Sequence, residues 1–86
     1  MDLQKPKFGE MVRIARTSLG YSQLWLATEL GQQDRASIGL IETGRRLPGV
    51  KQSRKIIQIL RLNKRDAIQA ILEERRSANE GAYEFE

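Results

Sequence analysis

Arg35, Arg45 and Arg46 bracket a short run, Ala36-Ser37-Ile38-Gly39-Leu40-Ile41-Glu42-Thr43-Gly44, and their spacing suggests chemistry. A guanidinium is a planar fork of N–H donors that stays charged at physiological pH. It binds phosphate oxygens and can bond bidentately to the acceptor edge of guanine. Covalent chemistry has few candidates. The sequence holds no Cys and no His, which removes disulfides, thiol nucleophiles, imidazole bases and most zinc sites. It has no Gly-rich phosphate loop and no carboxylate pair in a recognisable motif, so neither an enzyme nor a metal or cofactor site is expected.

The charge distribution points the same way. Residues 1–72 carry thirteen Lys/Arg against six Asp/Glu, a net +7, whereas residues 73–86 carry two against five, a net −3. A basic body with an acidic tail suits a polyanion bound by the body. The plain alternative is that these charges only solvate the surface. At 86 residues the chain is one small domain, of a size that buries only ~60–65% of its unfolded surface. No apolar run approaches the ~18 residues of a membrane span, and the N-terminus lacks a signal-peptide core. A soluble cytoplasmic protein is expected, with no membrane partner.

The elements that position these arginines are short and helical. Phe8, Met11, Val12, Ala15 and Leu19 recur at three and four, predicting a first helix over residues 6–19 with Pro6 in its first turn. Ser22 is a candidate N-cap for a second helix over 22–30, whose inner face is Leu26, Ala27 and Leu30. Gly31 ends it. Asp34 is a candidate cap for a third helix over 34–43, where Ile38 and Ile41 form a buried pair and Gly44 is the stop. A fourth helix is predicted over 50–61, with Ser53, Ile56, Ile57 and Leu60 inward. Asn63 caps a fifth over 64–77, with Ala67, Ile68, Ile71 and Leu72 on one face. Residues 1–5 read as an N-terminal arm, 6–77 as the folded domain, and 78–86 as an acidic tail. The second and third helices share one apolar seam, which describes a helix-turn-helix.

Here a resemblance becomes specific. Ser22-Gln23, Leu26-Ala27, Leu30-Gly31, Ile38, Ile41-Glu42, Gly44 and Pro48, with Phe8-Gly9, Arg16 and Leu19 upstream, resemble the signature of the XRE/Cro family of helix-turn-helix repressors. The resemblance covers about residues 8–72. It implies an all-α, five-helix, lambda-repressor-like DNA-binding domain with the helix-turn-helix at helices 2 and 3. Between Gly31 and Ile38 the chain has one residue more than the family pattern. Either the turn is longer or the third helix starts a residue earlier.

In this class the N-terminal part of the third helix meets base edges in the major groove. With Ile38 and Ile41 inward, Arg35, Ala36, Gly39 and Leu40 are the base-contacting candidates. Arg35 suits guanine; Ala36 and Leu40 offer apolar contact, for example to a thymine methyl. Gly39 either lets the backbone approach DNA or serves a tight helix–helix contact. The family usually places polar readers here, so DNA shape or Arg35 alone must carry much of the specificity. Gln23, at the start of helix 2, matches a family contact to the DNA backbone. Arg45, Arg46, Thr43 and Ser37 are further phosphate-contacting candidates. The resemblance also implies a partly buried ion pair between Arg16 and Glu42, which orients the Arg16 guanidinium toward a phosphate.

Leu24 and Trp25 fall where the family usually has polar residues. Trp25 either extends the core against helix 1, is covered by Tyr83 and Phe85, or joins Leu24 in a protein contact. Tyr83 and Phe85 themselves are either disordered, packed on the body, or paired with a second subunit. The resemblance implies a homodimer on a palindromic operator, acting as a repressor ahead of an activator, with the dimer contact on helices 4 and 5 or the tail. No small-molecule ligand is expected. The competing reading is a protein-interaction or antitoxin-type module on the same fold, with RNA polymerase or a toxin as partner.

Overall fold

The computed structural model describes residues 6–84, with side chains through residue 77. The described residues form five helices and no strand: α1 Phe8–Ser18, α2 Gln23–Glu29, α3 Ala36–Glu42, α4 Val50–Leu60 and α5 Lys64–Glu84. Helix α1 is central, packing against α3, α4 and α5, while α2 packs against α3. The residues that meet there are Phe8 and Val12 from α1, Leu26 and Ala27 from α2, Ile38 and Ile41 from α3, Ile56 and Leu60 from α4, and Ala67 and Ile71 from α5, with Leu30 just past α2. None of the helices is long and apolar enough to cross a membrane.

Local signals set most of the ends. The Ser22 hydroxyl accepts the Trp25 N–H at 2.9 Å and so caps α2. Asn63 does the same for α5, accepting the Asp66 N–H at 3.0 Å. Gly31 and Gly44, which follow α2 and α3, sit at φ +75° and +78°, a left-handed conformation that costs other L-residues about 1 kcal/mol or more. Arg61 takes the same role after α4 at φ 54° without being glycine.

Three expected boundaries move. Helix α1 begins at Phe8 and excludes Pro6, because Lys7 is extended at ψ 160° and supplies no side-chain cap. The cap comes instead from α5, whose Glu74 carboxylate accepts the Phe8 N–H at 3.1 Å. Helix α3 begins at Ala36 rather than Asp34, so Asp34 and Arg35 belong to the turn. Helix α5 does not end at Ser77 but continues to Glu84, across the expected start of the tail. A helical Gly81 costs about 1 kcal/mol relative to Ala and does not by itself stop a helix.

The inner face of α5 also differs from its periodicity. Ala67, Ala70 and Ile71 are buried, whereas Ile68 is 41% and Leu72 61% exposed. The helix presents its small residues to α1, which turns Ile68 and Leu72 toward α4. With Val50 and Ile57 they line an open groove of about 580 Å³. Leu19, expected on the α1 stripe, lies past the helix end and is exposed.

Candidate nucleic-acid interface

Helix α3 is held from beneath by one polar cluster. The Arg16 Nε donates to Glu42 Oε2 at 2.6 Å and its Nη2 donates to Oε1 at 3.1 Å. This is a side-on pair whose side chains are 11% and 4% exposed. The third nitrogen, Nη1, donates to the Tyr21 carbonyl at 2.8 Å, and Gln23 Nε2 donates to Glu42 Oε1 at 3.1 Å. One carboxylate therefore ties α1, the start of α2 and the end of α3 together. Such a pair stabilises little by itself, because desolvation offsets attraction. It fixes geometry: the angle at which α3 lies on α1 and α2 is set by directed bonds as well as by the Ile38 and Ile41 contacts.

Within this cluster the expected Arg16–Glu42 pairing is present. The guanidinium spends three of its five N–H groups inside the protein, so two remain for an outside acceptor. Gln23 spends one of its two amide hydrogens on Glu42 and keeps one. Ser37 and Thr43 are different. The Ser37 hydroxyl donates to the Asp34 carbonyl at 3.0 Å. The Thr43 hydroxyl donates to the Gly39 carbonyl at 2.9 Å. Their single hydrogens are committed to backbone, so neither offers a donor to a phosphate in this arrangement.

The charged frame is exposed. Arg35 sits immediately before α3 in helical conformation, φ −62° and ψ −21°. Asp34 stabilises this entry by accepting the Ala36 N–H at 2.9 Å. At the other end, the backbone N–H groups of Arg45 and Arg46 both donate to the Leu40 carbonyl, at 2.9 and 3.2 Å. The loop beyond is pinned at Pro48, whose carbonyl accepts from Ser53 Oγ and Arg75 Nη2. Among the described residues none of Arg35, Arg45 and Arg46 makes an ion pair. The packing of α1 on α3 also brings Lys7 to the cleft that Arg45, Arg46, Glu73 and Glu74 line. Nothing but its charge marked Lys7 in the sequence.

Between these arginines, Ala36 and Leu40 are exposed on α3. Gly39 precedes Leu40, and a Cβ built there meets only the flexible Gln23 Nε2, at 3.9 Å. The tight helix–helix contact considered for Gly39 is therefore not there. It is at Gly9, where a Cβ falls 2.2 Å from the Ile41 carbonyl oxygen and 2.8 Å from that of Glu42. We expect Gly39→Ala to raise stability by ~0.5–1 kcal/mol through helix propensity, read as a higher midpoint in urea. A lower midpoint would show that the site is crowded after all.

Trp25 does not extend the core. It is 37% exposed and stacks on Tyr21, with ring centroids 3.9 Å apart and planes at 20°. Leu24 beside it is 53% exposed. Tyr21 thus serves twice, stacking its ring on Trp25 and holding Arg16 through its carbonyl. The side chain of Tyr83, and Phe85 altogether, lie outside the described residues. Compared with protein-family models, with curated proteins and with solved structures, the chain matches none.

Proposed function

We propose that the chain is a sequence-specific, double-stranded DNA-binding transcriptional regulator of the XRE/Cro type. It uses α2 and α3 as a helix-turn-helix and acts as a repressor on a palindromic operator. The observation that carries this reading is α3 itself: an outward face that exposes Ala36 and Leu40, arginines at both ends that make no ion pair among the described residues, and a buried cluster holding its angle. A helix of this width fits the major groove, where each base pair presents a distinct pattern. Phosphate contacts from Arg45, Arg46 and the remaining Gln23 and Arg16 donors set register, and contacts at Arg35 and along α3 read bases.

A homodimer follows from the operator symmetry proposed. The exposed Val50, Ile68 and Leu72 along the α4–α5 groove provide the apolar surface for it.

The deciding experiment is selection from a random double-stranded DNA pool with the purified full chain near physiological salt. An inverted repeat with half-sites about one helical turn apart supports the proposal. Recovery of no motif, with binding that disappears as salt rises, overturns it and leaves only a basic surface that attracts polyanions. On a recovered site, Arg35→Ala is expected to relax preference at one base pair per half-site, an effect of ~1–3 kcal/mol. Arg45→Ala is expected to weaken all sequences alike and reduce the slope of log K against log salt by about one. The reverse pattern would exchange the two roles. Gly39→Ala, stabilising for the fold, is expected to weaken binding if the backbone comes close to the bases.

The second reading, a protein-interaction module, is favoured by exposed Leu24 and by Trp25 stacked in the open on Tyr21. Loss of activity in Trp25→Ala with DNA binding intact would select it.

A further inference from the structure

The middle of α3 offers almost nothing that can hydrogen-bond to a base edge. Ala36 and Gly39 have no polar side-chain atom, and the Ser37 and Thr43 hydroxyls are turned onto backbone carbonyls. What α3 does present there is Leu40. Its neighbours Ile38 and Ile41 are 0% and 1% exposed, yet Leu40 is 41% exposed. Its side chain is thus aimed away from the core, on a helix that Arg35 precedes and Arg45 and Arg46 follow. A lone half-exposed leucine needs no explanation by itself. Here, however, it is the largest exposed side chain on α3, with a side-chain-free residue next to it, so a partner can approach α3 closely enough to cover it. The partner must be anionic overall and yet present an apolar group at that point. On the major-groove edge of DNA the apolar group is the 5-methyl of a pyrimidine.

Resting on the DNA-binding reading above, we infer that Leu40 is a specificity-determining residue that reads a pyrimidine 5-methyl group. The methyl packs against the Leu40 side chain beside Gly39, while Arg35 supplies the polar contact. Thymine and 5-methylcytosine share this group and differ at the 4-position, where one accepts and the other donates.

The test uses the strongest duplex recovered from the random pool, resynthesised with deoxyuridine at each thymine in turn, and separately with 5-methylcytosine at each cytosine. Removing one methyl at the read position is expected to weaken wild-type binding about fourfold. Leu40→Ala is expected to bind the thymine and uracil duplexes equally. Because Leu40 lies outside the core, this variant keeps the wild-type melting temperature, which separates readout from folding. If the read base is a cytosine, methylating it strengthens wild-type binding and leaves Leu40→Ala unmoved. The inference is overturned, with DNA binding left standing, if no methyl substitution changes affinity by twofold, or if Leu40→Ala is as methyl-sensitive as wild type. Failure to recover any sequence from the pool removes the DNA-binding reading, and this inference with it.

Discussion

Replacing Glu42 by alanine is expected to destabilise the protein by ~3–5 kcal/mol, the usual cost of leaving one partner of a buried ion pair alone. Both carboxylate oxygens are in use: Oε2 by Arg16 Nε, Oε1 by Arg16 Nη2 and Gln23 Nε2. Their loss leaves a guanidinium whose side chain is 11% exposed with only the Tyr21 carbonyl as partner. In a domain of this size each kcal/mol lowers the melting temperature by ~4–8 °C, and total stability is ~5–15 kcal/mol. The variant should therefore melt at least ~12 °C lower, and it falls close to the limit of folding. Circular dichroism on heating reads the effect; an unchanged midpoint would mean that the pair is solvated in solution. The same substitution should weaken the proposed DNA binding, since it frees α3 from α1 and α2. The variant that removes both charges, Arg16→Met with Glu42→Leu, separates the two effects. It is expected to recover much of the stability without recovering the Arg16 and Gln23 donors in place, so the proposed DNA binding should remain weak.

Gly9→Ala is expected to cost about 3 kcal/mol, although glycine-to-alanine inside a helix normally stabilises by ~0.5–1 kcal/mol. Steric overlap decides the sign. The new methyl carbon falls 2.2 Å from the Ile41 carbonyl oxygen, 2.8 Å from that of Glu42 and 3.0 Å from the Glu42 carbonyl carbon. All three are backbone atoms, so no side chain can rotate away, and α1 must move off α3. That movement pulls Arg16 from Glu42 and disturbs the Phe8 N–H bond to Glu74. Urea denaturation of Gly9→Ala and Gly39→Ala side by side is the informative measurement. The two substitutions are chemically identical and should shift the midpoint in opposite directions. A gain in stability for Gly9→Ala would show that α1 and α3 are not in contact there.

Much of the local structure was legible from residue types. The Ser22 and Asn63 caps, the glycine stops at Gly31 and Gly44, and the inward Leu26, Ala27, Ile38 and Ile41 each depend on neighbours within about four residues along the chain. Periodicity and capping chemistry report on just that range. The five helices followed. Where a boundary or a face depended on a distant element, the local signal was insufficient. Helix α1 starts at Phe8 because Glu74, far along the chain, accepts its first N–H. Ile68 and Leu72 are outside because α5 meets α1 through Ala67 and Ala70, a choice that apolar spacing cannot distinguish from its neighbour one step round the helix.

The same division holds at the candidate site. That Arg35, Arg45 and Arg46 are cationic, and that Ala36, Gly39 and Leu40 cannot hydrogen-bond through side chains, belongs to the sequence alone. The tertiary structure decided which of two glycines carries the close helix contact. It joined Arg16, Gln23 and Glu42, up to 26 residues apart in the chain, into one cluster, whereas the Ser37 and Thr43 hydroxyl bonds and the Trp25–Tyr21 stack are made within four residues along the chain. Residue type determines what a group can bond to. Which bond it makes is decided by what the folded chain places within about 3 Å of it, and for Arg16, Gln23 and Glu42 the partner's position depends on how the helices pack.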